Sequence, residues 1–184
     1  MRITYPHTIE NCLGEKIIFH SINHEPGGDK VIVENFVKPG CGPVMHTHLL
    51  QDECLTVVKG RIGYQVPGGE ERFAREGDTL FFERGTPHRF WNAGNDILNC
   101  KGWIKPANSI VFFLTALYDA QNKSGNAQPE KFDAAYLMTR YKNEYDIPGM
   151  PGFVKKIIIP ITYRVGQLLG KYKKFEDAPE PAKK

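Results

Sequence analysis

The sequence predicts a mainly β protein, with an antiparallel β-barrel over residues 1–106 and a helical extension over residues 107–184. From about residue 13 to residue 105 the chain reads as short apolar or alternating runs cut by Gly, Pro, Asn and Asp, as barrels and sandwiches do. Helical periodicity is absent from that stretch. After Pro106 the apolar residues recur at three- and four-residue spacing instead.

The expected strands run, in order, over Lys16–Ser21, Lys30–Val37, Glu53–Val58, Arg61–Val66, Glu71–Arg75, Thr79–Phe82, His88–Asn92 and Ile97–Ile104. Pro67-Gly68-Gly69-Glu70 supplies a hairpin turn between two of them, with glycines for the positive φ values such turns require. Helices are expected over Ile110–Ala120 and Glu130–Tyr141, separated by the polar stretch Gln121–Pro129. A third segment, Gly152–Tyr172, reads as a helix kinked by Pro160. Its apolar residues Phe153, Ile157, Ile161, Val165 and Leu168 form one stripe, expected to pack on the barrel or on a second subunit. The charged, Pro-containing end Lys173–Lys184 is expected to fray.

A chain of 184 residues can bury a core without staples, and 41% hydrophobic with 24% charged residues is ordinary for a globular protein. The net charge of +3 is too slight to point to nucleic acid. Apolar runs fall short of the roughly 20 residues a bilayer crossing needs. Met1–His7 holds one basic residue and no apolar stretch, so the mature chain is expected to start at Met1. Cys12, Cys41, Cys54 and Cys100 form no C-x-x-C pair, which fits a reducing cytoplasm. Residues 151–184 hold eight Lys or Arg against three acids, so weak binding to an anionic membrane surface is the other fate open to this segment.

The chemistry concentrates at His46-Thr47-His48. A strand's period of two points both imidazoles to one face, about 7 Å apart along the chain, close enough to share a metal. Glu53 joins them only if residues 49–52 turn the chain, and His88 has to arrive from a distant strand, which a closed barrel allows. Three imidazoles and a carboxylate suit one divalent transition ion, Fe, Mn, Ni, Cu or Zn, with open positions left for substrate.

The run from Gly40 through His46, His48 and Glu53 to Gly60 has the order glycine, five residues, H-x-H, four residues, glutamate, six residues, glycine. It resembles the first cupin motif at every defining position. Gly77, Gly85, His88 and Asn92 are similar to the second motif, except that Glu83 stands where the family usually has proline. The resemblance, to a single-domain cupin-2-like barrel with a helical C-terminal extension, covers about the first 105 residues. It implies a double-stranded β-helix, or jelly roll, with His46, His48, Glu53 and His88 as metal ligands. By the same resemblance a homodimer is expected.

Met45, Gln51, Tyr64, Phe82 and Phe90 are the candidate walls of a largely apolar substrate pocket above the metal. Arg61, Arg84 and Arg89 are the nearest cations for a substrate carboxylate. His7, His20 and His24 fit no ligand spacing. By analogy with the family the expected function is a mononuclear metal enzyme acting on a small molecule, dioxygenase chemistry first, with isomerase, decarboxylase and lyase chemistry also open. The alternative is a non-catalytic small-ligand binding or sensing module with a structural metal.

Overall fold

The computed structural model describes residues 3–182. Ten strands precede the helices: β1 (His7–Glu10), β2 (Glu15–Asn23), β3 (Lys30–Val37), β4 (Thr47–His48), β5 (Asp52–Lys59), β6 (Arg61–Gln65), β7 (Arg72–Arg75), β8 (Thr79–Phe82), β9 (Arg89–Asn92) and β10 (Leu98–Lys105). The extension adds α1 (Ile110–Ser124), α2 (Lys131–Arg140), β11 (Tyr145–Asp146) and α3 (Ile159–Leu168). All eight expected strands are present to within a residue or two; β4 carries the strand conformation expected of His46-Thr47-His48, while β1 and β11 were not anticipated.

Six strands form an antiparallel sheet in the order β1-β2-β3-β10-β5-β8, three form a second sheet β7-β6-β9, and β4 pairs with β11. The alternation of buried and exposed positions along β3, β5, β8 and β9 follows from their period of two. Val37, Leu55, Val57 and Leu98 of the large sheet meet Ile62, Ala74 and Phe90 of the small one in a single apolar cluster. This is a jelly-roll barrel followed by helices. Gly60, at φ 97°, turns β5 into β6, a left-handed conformation that costs glycine little. Gly42 lies so close to β9 that a Cβ there would sit 2.2 Å from the Phe90 carbonyl oxygen.

A second apolar cluster joins the extension to the barrel: Phe19, Val31, Val33 and Ile104 of the large sheet pack with Ile110, Phe113, Leu137 and Tyr145. α1 ends at Gly125, whose left-handed backbone lets its N–H bond the Gln121 carbonyl. Glu130 caps α2 by accepting hydrogen bonds from the Phe132 and Asp133 N–H groups. Among the described residues no helix is long and apolar enough to cross a membrane.

Two expectations for the extension need correction. The stripe Phe153, Ile157, Ile161, Val165 and Leu168 does not pack on the barrel, for all five side chains are exposed. α3 instead turns its other face to α2, with Tyr163 and Tyr172 stacked near Tyr136 and Gly166 accommodating the Tyr172 ring. The Pro160 kink takes the form of a π-helical turn over Val154–Ile158, because proline brings no N–H and its ring crowds the preceding turn. The end of the chain is also held in place as far as Ala182. Phe175 is buried, the Tyr141 hydroxyl donates to the Pro179 carbonyl at 2.8 Å, and the Ala182 N–H donates to Glu144 at 2.9 Å. Met1, Arg2, Lys183 and Lys184 lie outside the described residues, so the expected start at Met1 and the last two lysines are not addressed by it.

Candidate metal centre and cavity

His46, His48, Glu53 and His88 meet at one end of the barrel, with one ligand atom from each lying within 4.8 Å of all the others. Local structure explains the convergence. β4 is only two residues long, and its extension at His46 pairs directly with His88: each residue's N–H donates to the other's carbonyl at 2.9 Å. The chain then bends through residues 49–51, so that Glu53, near the start of β5, returns to the same space. The carboxylate lies 3.2 Å from His88 Nε2 and 3.5 Å from His48 Nε2.

The rings are oriented from behind. His46 Nδ1 donates to the Val44 carbonyl at 2.8 Å, which leaves its Nε2 lone pair on the cluster side, whereas His88 Nδ1 donates to the Thr86 carbonyl at 2.9 Å and its Nε2 donates to the Glu53 carboxylate, a contact that raises His88 against the effect of burial. Phe82 stacks flat on His88 with centroids 4.0 Å apart. His48 Nδ1 is buried without a partner, while the edge of Tyr145 abuts its ring at 5.7 Å.

Electrostatics suit a cation. Burial, with the neighbouring imidazoles adding to it, lowers His46 to about 3. Burial likewise lowers His48 to about 4, against the pull of Glu53. Burial alone would raise Glu53, but the His88 hydrogen bond and the three imidazoles bring it down to about 2. At neutral pH the cluster therefore offers uncharged His46 and His48 rings and an ionised carboxylate.

A cavity of about 430 Å³ opens from this cluster. Its walls are mainly apolar and come largely from outside the motifs: Ile17, Val33, Phe113, Leu117, Met138 and Ile158 are among them. Polar side chains interrupt the lining, Glu15, Asn35 and Tyr118 among them. Glu15 accepts a hydrogen bond from the Tyr118 hydroxyl at 3.2 Å, and Asn35 Oδ1 is buried with no partner. Burial raises Glu15 above the ordinary carboxyl range, and burial and the adjacent Glu15 raise Tyr118 well above that of a phenol.

Of the expected pocket walls, Phe90 lines this cavity. The other four do not. Met45 is half-buried on a separate outer groove, and Tyr64 packs in the barrel core near Phe82, which itself backs His88. Gln51 is fully buried, its amide donating to Glu144 at 2.9 Å and to the Tyr145 hydroxyl at 3.3 Å. None of the three arginines lines the cavity: Arg84 pairs with Asp52, Arg89 with Glu71, and Arg61 lies over Phe73. His7, His20 and His24 bond Thr115, Glu34 and Asp29, away from the cluster.

Sequence reasoning missed Glu15, Asn35 and Tyr118. The inward alternation of β2 and β3 could have marked the first two, whereas Tyr118 sits on a helix whose docking no local pattern reveals. It also missed the brace behind the site. Glu144, fully buried, accepts hydrogen bonds from Gln51, from the Ser109 hydroxyl at 2.9 Å and from the Ala182 N–H, and its carbonyl accepts from Leu49 N–H at 2.7 Å.

Residues 36–100, which span the ligand segments and the strands between them, match the family model for the cupin domain. This chain contains a cupin domain. Among curated proteins, oxidoreductase iacF of Pestalotiopsis fici (strain W106-1 / CGMCC3.15140) is 42% identical over 100 residues, covering 50% of this chain and 49% of the relative. The chain thus matches about half the length of that relative. Solved structures similar to this chain include KdgF from Halomonas sp., at 22% identity and TM-score 0.43, covering 50% of this chain and 81% of that one. An oxalate oxidase is similar at 18% identity and TM-score 0.45, covering 53% and 55%.

Proposed function

We propose that this cupin is a mononuclear metal enzyme acting on a lipophilic small molecule, with oxygen-dependent oxidation as the leading reaction class. The observation that carries the reading is the junction of His46, His48, Glu53 and His88 with a mainly apolar cavity of about 430 Å³. The donor set fits one divalent ion of Fe, Mn, Ni, Cu or Zn, with the Nδ1 atoms of His46 and His88 tied to backbone carbonyls. Such an ion, when bound, supplies a Lewis acid and, for a redox-active metal, electron transfer at its open positions. The oxidoreductase name of a relative 42% identical over 100 residues supports the oxidative class.

The chain's own groups have separable tasks in this reading. The apolar walls exclude water and take the hydrocarbon body of the substrate. Asn35 Oδ1, buried without a partner, accepts a hydrogen bond from a substrate hydroxyl or amine, since leaving that oxygen unpaired is unfavourable. Glu15, with its raised proton affinity and the Tyr118 hydroxyl on one oxygen, is the acid–base group of the cavity. A homodimer belongs to the same reading: exposed Phe81, close to Trp103 on the outer side of the large sheet, offers apolar surface for it.

The test is oxygen uptake by the metal-loaded enzyme across a panel of lipophilic alcohols and phenols and of small polar acids, with thermal shift measured in parallel. Uptake or conversion confined to lipophilic compounds, and reduced in Glu15→Gln and Asn35→Leu, is the expected result. Ligand-induced thermal shifts with no conversion of any compound would instead favour the non-catalytic binding module.

A further inference from the structure

Seven of the large exposed hydrophobic side chains lie between residues 153 and 169, on α3 and the π-helical turn before it. They include Phe153 (62% exposed), Ile157 (52%), Ile161 (58%) and Leu168 (88%). Ile158 belongs to both this face and the cavity, being half-exposed and also one of the cavity's lining residues, with Val154 and Ile159 beside it. The apolar face therefore surrounds the outer end of the cavity.

Charge decides what covers this face. From Ile147 to Phe175 the chain has six Lys or Arg and no acid. Lys155 and Lys174 are neutralised by Asp146 and Asp133, while Lys156, Arg164, Lys171 and Lys173 form no ion pair among the described residues. A two-fold contact between copies would set these cations against one another, the next acids in sequence, Glu176 and Asp177, coming only after the apolar face has ended. An anionic bilayer surface meets both demands, taking the apolar side chains below its headgroups and the lysines and arginine among them.

The structure assigns this face as an interfacial anchor: α3 and the preceding π-helical turn seat the enzyme on an anionic lipid surface, so that the cavity opens toward the bilayer and draws a lipophilic substrate from it. The substrate route rests on the function proposed above, but the anchoring does not. Vesicle binding requires no metal and no turnover.

The experiment is co-sedimentation of the full chain with phosphatidylserine-rich vesicles and with vesicles of phosphatidylcholine alone. The wild-type chain should bind the anionic vesicles at least roughly tenfold more tightly and lose that preference at high salt. Ile157→Asp/Ile161→Asp should abolish binding, and Lys156→Glu/Arg164→Glu should remove the anionic preference; Leu168→Asp, at the most exposed position, serves if the first double variant does not fold. His48→Ala should bind as the wild type does, which separates anchoring from the metal centre. Wild-type protein left in the supernatant with both vesicles would overturn the anchor. So would a dimer in vesicle-free solution that Ile157→Asp/Ile161→Asp converts to monomer, since the face would then cover a second copy.

Discussion

The two ends of the cavity are built in opposite ways. At the barrel end four polar side chains converge, from β4 and the residue before it, from β5 and from the residue before β9, knit by paired backbone hydrogen bonds between His46 and His88. At the helical end the walls are apolar, and they come from positions as far apart as Ile17, Phe113 and Ile158. The first end is specified by local spacing and sheet register; the second exists only once α1, α2 and α3 have docked. Chemistry and substrate choice are thus carried by different parts of the chain, and variants in one end should leave the other's property intact.

Glu144 is where that separation should fail most visibly, because it braces the ligand-bearing turn from the helical side. Glu144→Ala leaves the Gln51 amide, the Ser109 hydroxyl and the Ala182 N–H without their acceptor, which should destabilise the protein by about 3–5 kcal/mol. Chemical denaturation measures this, and a loss below about 1 kcal/mol would show that the brace is replaceable by water.

A filled cavity should show the separation intact. Leu117→Trp narrows the helical end, so a lipophilic ligand should bind about tenfold more weakly, a change of about 1.4 kcal/mol, while metal content stays at the wild-type level. Calorimetric titration and elemental analysis on one preparation test both halves of that statement.

Glu15 gives a pH-dependent signature. Its folded proton affinity is raised by burial, so the folded state holds the proton at pH values where the unfolded chain has released it. Stability from this group is present below the ordinary carboxyl pKa of 4.5 and is lost as pH rises through the folded value. Between pH 4 and pH 7 the wild-type protein should therefore lose stability relative to Glu15→Gln. Equal pH profiles for the two proteins would remove Glu15 as the cavity's acid–base group. The smallest effect is expected at Asn35: Asn35→Leu should change stability by less than about 1 kcal/mol, since the lost amide oxygen has no partner in the folded protein. Ligand affinity should fall in the same variant.

The barrel end was legible because its determinants are short-range. The short apolar and alternating runs marked the strands, and the H-x-H spacing with Glu53 and His88 named the four side chains that the fold brings together. The two-residue β11 escapes such reading. It exists because it pairs with β4, Tyr145 opposite His48, and nothing in Tyr145–Asp146 alone signals it. The α3 stripe shows a different limit: spacing of three and four identifies a common face of a helix, but the same spacing serves a face turned to the core and one turned outward. Gln51 shows a third. Lying between two ligands it read as a pocket wall, yet its partners Glu144 and Tyr145 are more than ninety positions away.

The central claim is that His46, His48, Glu53 and His88 hold one divalent transition ion. Elemental analysis of protein purified without an affinity metal or chelator, alongside Glu53→Ala and His88→Ala, tests it most directly. The account predicts near-stoichiometric Fe, Mn, Ni, Cu or Zn in the wild-type protein and its loss from both folded variants. Wild-type protein that carries no metal even after anaerobic reloading, or variants that retain the full content, would contradict it.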